Sequence, residues 1–225
     1  MKRILPIMLV GALAVYASCK KKENTPPPVN KTDTVVINKT DTVNTKDTVK
    51  VPVIPAGYTR ILTGDVTSSR TLDNHPDSPW ILKGYVYIKD GATLTIQPGT
   101  VVKSDVVNKG ALIFERGSKI MAEGTASSPI VFTSGLSKGQ RRPGDWGGII
   151  ILGKATTNRS TEPTIEGGVG KQYGGTNDAD NSGSMKYCRI EFAGIAAEPG
   201  SEINGLTLGG VGSGTTIENI MVSYG

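Results

Sequence analysis

Three short apolar segments recur at one fixed spacing. Ala92-Thr-Leu94-Thr-Ile96-Gln-Pro-Gly99, Ala111-Leu112-Ile-Phe114-Glu-Arg-Gly117 and Pro129-Ile130-Val-Phe132-Thr-Ser-Gly135 each alternate and then end in glycine. Leu94, Leu112 and Ile130 are eighteen residues apart, and so are Ile96, Phe114 and Phe132, and Gly99, Gly117 and Gly135. Alternation sends every second side chain to one face. A glycine that follows lets the backbone bend where a Cβ would resist. A fixed period of this size means stacked units that cannot bury an apolar face alone.

Stacking such units at a strand spacing of about 4.8 Å places like residue on like residue. The expected fold is all-β, a single-stranded parallel β-helix with Leu94, Leu112 and Ile130 piled in one ladder. Spacing alone leaves its handedness open between right and left. Only 5% of the chain is aromatic and 29 residues are glycine, which suits a narrow bore. Two polar excursions interrupt the register, Lys138–Pro143 and about 156–184. Strand texture resumes at Trp146–Gly153, Cys188–Gly194, Leu206–Leu208 and Ile217–Val222. Insertions at coil corners are what a solenoid tolerates, and such loops often carry binding. The last strand is followed directly by Tyr224-Gly225 with no polar cap, so the β-helix, residues 58–225, is expected to be incomplete at its C-terminus.

Residues 1–18 are an address. Met1-Lys2-Arg3 precedes an apolar run, Ile4 to Ala17, shorter than the roughly 20 residues of a membrane span. Ala17-Ser18-Cys19 follows and resembles a bacterial lipobox, with Tyr16 where leucine is usual. That resemblance implies lipidation of Cys19 (palmitate among the acyl chains) and a membrane partner through the anchor. Lys20, Lys21 and Lys22 stand where inner-membrane retention would place Asp, so the outer membrane is the expected location, on either face. Residues 19–57 hold no aromatic side chain and read as a flexible stalk stiffened at Pro26-Pro27-Pro28. Asp-Thr-Val recurs in it at residues 33–35, 41–43 and 47–49. Asp-Thr-aliphatic resembles an exported-protein O-glycosylation sequon, which would make Thr34, Thr42 and Thr48 acceptors.

Composition removes several chemistries. The single histidine, His75, excludes a multi-histidine zinc site, and two cysteines exclude a disulfide framework. A formal charge of +5 is too mild to argue for nucleic acid. Cys188 shares parity with Ile190 and Phe192 and is expected inside. Arg141, Arg142, Trp146 and Tyr173 flank the excursions and are the candidate ligand contacts, against a plainer reading in which Trp146 packs under its loop. Asp178, Asp180 and Ser182 fall at positions one, three and five before Gly183, a spacing that suits calcium, although Arg189 replaces the Glu an EF-hand needs at position twelve. The plainer alternative is an Asx-rich turn. Otherwise no cofactor is expected. Glu166, Glu191 and Glu202 form no pair that spacing selects, and Glu191 should point outward into solvent, so no catalytic residue is named.

Beyond these readings, Pro129–Ser134, Gly144–Ala155, Ile165–Gly168, Asn181–Gly183, Tyr187–Gly194 and Glu202–Thr215 resemble a family of bacterial exported right-handed parallel β-helix proteins, often lipoproteins. The resemblance spans roughly residues 60 to 225 and implies the right-handed form. It is to a fold that includes pectate-lyase-like enzymes, yet their calcium-binding Asp cluster and catalytic Arg have no match here. The expected function is a non-catalytic envelope module for surface display, adhesion or glycan contact, with a polysaccharide or another envelope protein as partner. The alternative is a polysaccharide lyase or glycoside hydrolase.

Overall fold

The computed structural model describes residue 54 and residues 57–159, 162–198 and 200–225. The lipobox cysteine, the three Asp-Thr-Val units and all of the stalk but residues 54 and 57 lie outside them. Among the described residues there are fourteen strands and no helix, hence none long and apolar enough to cross a membrane. Twelve strands form one sheet of parallel pairs wound into a three-sided coil, and two form a separate antiparallel hairpin.

Side one is built from the start of β1 (Ile61–Val66), the start of β3 (Trp80–Ile88), β5 (Val101–Ser104), β8 (Ile130–Ser134), the end of β10 (Gly183–Glu191) and the end of β14 (Thr216–Ser223). Side two takes the ends of β1 and β3, then β6 (Ala111–Phe114), β9 (Gly148–Leu152) and β13 (Leu206–Gly209). Side three stacks β2 (Arg70–Leu72), β4 (Thr93–Ile96), β7 (Lys119–Glu123) and the starts of β10 and β14. The chain visits the sides in the order one, two, three throughout, so the solenoid is a parallel β-helix.

The eighteen-residue ladder is corrected by the register. Leu94 pairs with Ile120, and Leu112 with Val86 and Ile149, while Ile130 pairs with Cys188. The three lie on sides three, two and one. Turns before the long excursions vary from 20 residues (Ile61 to Ile81) to 30 (Val101 to Val131), and take 26 from Leu94 to Ile120 and from Val86 to Leu112. Eighteen is about two thirds of that, so the repeat steps from one side to the next but one. All three residues still face one core. The true columns are Leu72-Ile96-Ala122-Met185-Ile217, Val66-Ile88-Phe114-Ile151-Leu208 and Trp80-Val102-Phe132-Ile190-Val222. Each large member that is fully buried contributes about 1.5–3 kcal/mol, whereas Leu208 and Val222 in the last coil are 44% and 48% exposed.

Side two is apolar on its outer surface as well. Ala111, Ile113, Ile150 and Leu152 point away from the bore and are buried by Val169, Ile195 and Ile203. Ile195 and Ile203 come from the hairpin of β11 (Ile195–Glu198) and β12 (Ser201–Ile203). Val169 sits near the tip of a second hairpin, closed by the Thr164–Gln172 bridge. The Tyr85 hydroxyl donates to the Gly167 carbonyl at 2.9 Å and the Tyr87 hydroxyl to that of Val169 at 3.2 Å. The long second excursion is therefore pinned to the barrel wall rather than left as a solvated loop.

One corner carries backbone strain. Tyr187, with φ +49°, turns β10 from side three to side one, and Asn219, with φ +53°, does the same one coil later. The left-handed region costs most side chains roughly 1–2 kcal/mol and asparagine less. Tyr187→Asn is therefore expected to raise stability by about 1 kcal/mol, read as a higher urea midpoint. A fall would mean that the half-exposed ring packs more than its backbone costs.

Candidate functional site

The corner between sides two and three passes in successive coils through Lys89-Asp90-Gly91, Glu115-Arg116-Gly117 and Leu152-Gly153-Lys154. The preceding rungs, Ile88, Phe114 and Ile151, are in register, so the corners pile up and their charged side chains share one strip. Gly117 makes this possible. Its φ is +88°, and a Cβ there would overlap Asp90 Oδ1 and lie 2.7 Å from Lys154 Nζ. The 163–173 hairpin forms the facing wall. Together they enclose a groove of about 570 Å³ lined by Asp90, Glu115, Arg116, Lys154, Thr164 and Lys171 together with Gln172.

The charges are arranged as a lattice. Glu115 Oε1 accepts from Lys89 Nζ at 2.7 Å and lies 3.0 Å from Lys171 Nζ. Both ammonium groups also stand over the Tyr87 ring, at 5.7 and 5.3 Å from its centroid. Arg116 pairs with Glu162 at 2.6 Å and donates to the Gly174 carbonyl at 2.9 Å. Lys154 is held least, 3.8 Å from Asp90 and 43% exposed. The side chains of Gln172 and Thr164 have no protein partner among the described residues, so they and Lys154 can serve a ligand. The hydrogen bond from Lys89 to Glu115 holds the Lys89 ammonium above the usual lysine range. Burial, helped by the Glu115 and Asp65 carboxylates, lifts the Tyr87 phenol.

Both shifts act in the same direction. Each folded-state value exceeds its unfolded one, so the native state holds these protons more tightly and loses stability as they leave. The lattice contributes fully below about pH 10, and its contribution fades as pH rises through the folded values. Thermal unfolding followed from about pH 8 to about pH 11 should show a falling Tm, and Glu115→Gln, which removes the main partner, should flatten that fall.

Residues 64–225 match the family described as Pectate-lyase like beta helix domain, which is most of the chain. The chain belongs to that family. No curated protein and no solved structure matches it.

This pectate-lyase-like β-helix does not gather the residues singled out in its sequence. Trp146 is 1% exposed in the core, its Nε1 donating to the Glu191 carbonyl at 2.8 Å, so its ring offers no face to a ligand. Arg141 is half-buried beside it, donating to the Leu136 carbonyl at 3.0 Å and to Thr133 Oγ1 at 3.3 Å. Arg142 is exposed and closes its own turn through the Gly139 and Arg141 carbonyls. Tyr173 packs against the outer cluster of side two, its ring filling the space a Cβ on Gly209 would need. Cys19, Thr34, Thr42 and Thr48 lie outside the described residues.

The calcium reading does not fit the donors. Asp178 Oδ1 accepts from the Thr156 amide at 2.9 Å, and that bond keeps its carboxyl below the usual range. Asp180 is buried and accepts from Ser182 Oγ at 3.0 Å. The backbone around them is tied to Ser213, Gly214 and Thr215. No group of three or more metal-ligating His, Cys, Asp or Glu side chains occurs among the described residues. The segment is a turn stitched by its own Asx groups.

Two further residues depart from their expected roles or confirm a simple one. Glu191 does point outward from side one, but it is buried rather than solvated. Its Oε2 accepts from Thr133 Oγ1 at 3.1 Å and lies 3.9 Å from Arg141, while its Oε1 accepts from Arg189. The loop carrying Arg141 covers it, and nothing in the local alternation announces that cover. Cys188 is inside as expected, donating to the Ala122 carbonyl at 3.3 Å, and burial pushes its thiol up to about 12. It is a small apolar filler, protonated at neutral pH.

The groove residues escaped sequence reasoning because each looks like an ordinary solvated corner. The available signal was the recurrence of charge immediately before Gly91 and Gly117.

Proposed function

We propose that this pectate-lyase-like β-helix is a lipid-anchored envelope protein that contacts glycans through the groove at the corner of sides two and three. The observation that carries the reading is the pair of unengaged polar groups, Thr164 and Gln172, with the loosely held Lys154, beside the carboxylates of Asp90 and Glu115. Sugar hydroxyls both donate and accept, and this wall offers both partners on a rigid frame. The anchor at Cys19, the stalk and glycosylation of Thr34, Thr42 and Thr48 complete the proposal, placing the module away from an outer-membrane surface with its loops accessible.

The test is a glycan array with the chain from residue 20 onward, followed by calorimetry on the best hit. Lys154→Ala with Gln172→Ala should weaken that hit at least about tenfold, the worth of one charge-assisted hydrogen bond. Absence of any hit, or a hit unaffected by both changes, would refute the groove as the contact. Release of unsaturated or reducing sugars from the same ligand would instead make the protein a lyase or hydrolase. In cells, Cys19→Ser should move the protein out of the membrane fraction.

A further inference from the structure

A second cavity lies on the outer surface of side one, away from the groove. It encloses about 430 Å³, within the range of small-molecule sites. Its walls are Ile54, Tyr58, Pro79, Ile81, Val106 and Leu136. Tyr58 presents only its ring, because its hydroxyl is bonded to the Pro79 carbonyl and accepts from Ser78 Oγ. Ile81 is an outward residue of β3, in register with Ile61 and Lys103, and Leu136 is 5% exposed. An apolar cleft of this kind suits a hydrocarbon body better than a sugar.

Its charges are three cations to one carboxylate. Lys103, Lys138 and Arg141 all line it. Lys103 stands in the floor, half-buried, with no ion pair or hydrogen bond among the described residues, and Lys138 at the rim has none either. Asp105 is the one carboxylate in the lining, and it is occupied locally, by the Val107 amide at 3.0 Å and by the Asn108 side-chain amide. Arg141 spends Nε and Nη1 on Leu136, Thr133 and Glu191. The cleft is thus greasy with an uncompensated ammonium in its floor. Burying that ammonium further under an apolar ligand would be costly unless the ligand brought an anion.

We propose that this cleft binds an amphiphilic carboxylate, an aliphatic chain ending in one anionic headgroup that pairs with Lys103. The chain lies along Ile81, Leu136 and the Tyr58 ring, and the headgroup takes the ammonium of Lys103 and the outer edge of Arg141. The surface is distinct from the polar groove, so the two sites stand or fall separately.

Isothermal titration of the full mature chain with sodium decanoate, kept below micelle formation, tests it. One saturable site is expected, with decanol bound at least tenfold more weakly. Lys103→Glu should weaken decanoate tenfold or more and turn the preference toward decylamine. Ile81→Asp, at a partly exposed outward position, should abolish decanoate binding while circular dichroism remains that of the parent. No saturable binding, equal affinity for decanol and decanoate, or indifference to Lys103→Glu overturns the proposal. Displacement of decanoate by a short oligogalacturonide would make the cleft a sugar site and overturn it too, leaving the groove to be judged by its own variants. If deletion of residues 45–53 were needed before decanoate bound, the occupant would be the chain's own valine- and proline-rich segment, and the proposal would fall.

Discussion

Replacing Gly183 with alanine is expected to destabilise the fold by at least about 4 kcal/mol, although it adds a single methyl group. Gly183 opens β10 opposite Ile120. Its φ is +111°, and a Cβ would overlap the Ile120 carbonyl oxygen while standing 2.8 Å from the carbonyl carbon and the amide nitrogen of the same residue. These are backbone atoms of the coil below, themselves held in the ladder, so nothing can swing aside. The fourth coil must then lift from the third along side three. Gly91→Ala is the matched control, because Gly91 also has a positive φ, +80°, but has nothing within 4 Å of its Cβ position. It should cost only the conformational strain, about 1 kcal/mol. Urea unfolding of both variants by circular dichroism separates the two contributions. Equal midpoints would show that close approach at Gly183 is not what fixes the stacking.

Glu191→Ala is expected to cost about 3 kcal/mol, mostly through what it leaves behind. The carboxylate is 6% exposed and holds Thr133, Arg141 and Arg189 together. Without it, Arg141 keeps its bond to the Leu136 carbonyl but loses its counter-charge at the wall of the apolar cleft. Glu191→Gln keeps an acceptor for Thr133 and should cost less than alanine. Differential scanning calorimetry reads the total loss. Protease nicking between about residues 137 and 143 reads whether the covering loop has come loose, and it should accelerate in Glu191→Ala well before global unfolding. A variant as stable as the parent, with the loop still protected, would mean that packing of Leu136 and Trp146 holds the loop without the ion cluster.

The fold was legible in the alternation of its apolar residues and in the regular return of glycine. Leu94, Leu112 and Ile130 do face one bore, as period-two patterning requires. The coil length was misread because the three sides of each turn carry similar short strands. A sequence repeat then records side-to-side likeness as readily as rung-to-rung likeness, and only the hydrogen-bond register tells 18 from 26. The outer cluster of side two was hidden for a different reason. Ile113, Ile150 and Leu152 break strict alternation with apolar residues on both faces, a pattern of strands covered twice. The cover comes from Val169, Ile195 and Ile203, tens of residues away in the chain, so the sequence shows the need but not the donor. Tyr173 was drawn toward a ligand role by its neighbours in sequence, while Trp146 packs under its loop as its plainer reading had it. In space, both are used to seat loops.

The longest loops are confined to one flank of the solenoid. Between sides three and one the last two turns are joined by single residues, Tyr187 and Asn219, while the long additions all enter at the two corners bordering side two. A protein engineer grafting foreign sequence onto this frame should therefore choose those corners, where some thirty extra residues already pass without shifting the next rung. In those last two turns the opposite seam has no slack, and a payload inserted at Tyr187 or Asn219 would have to unzip the solenoid to find room.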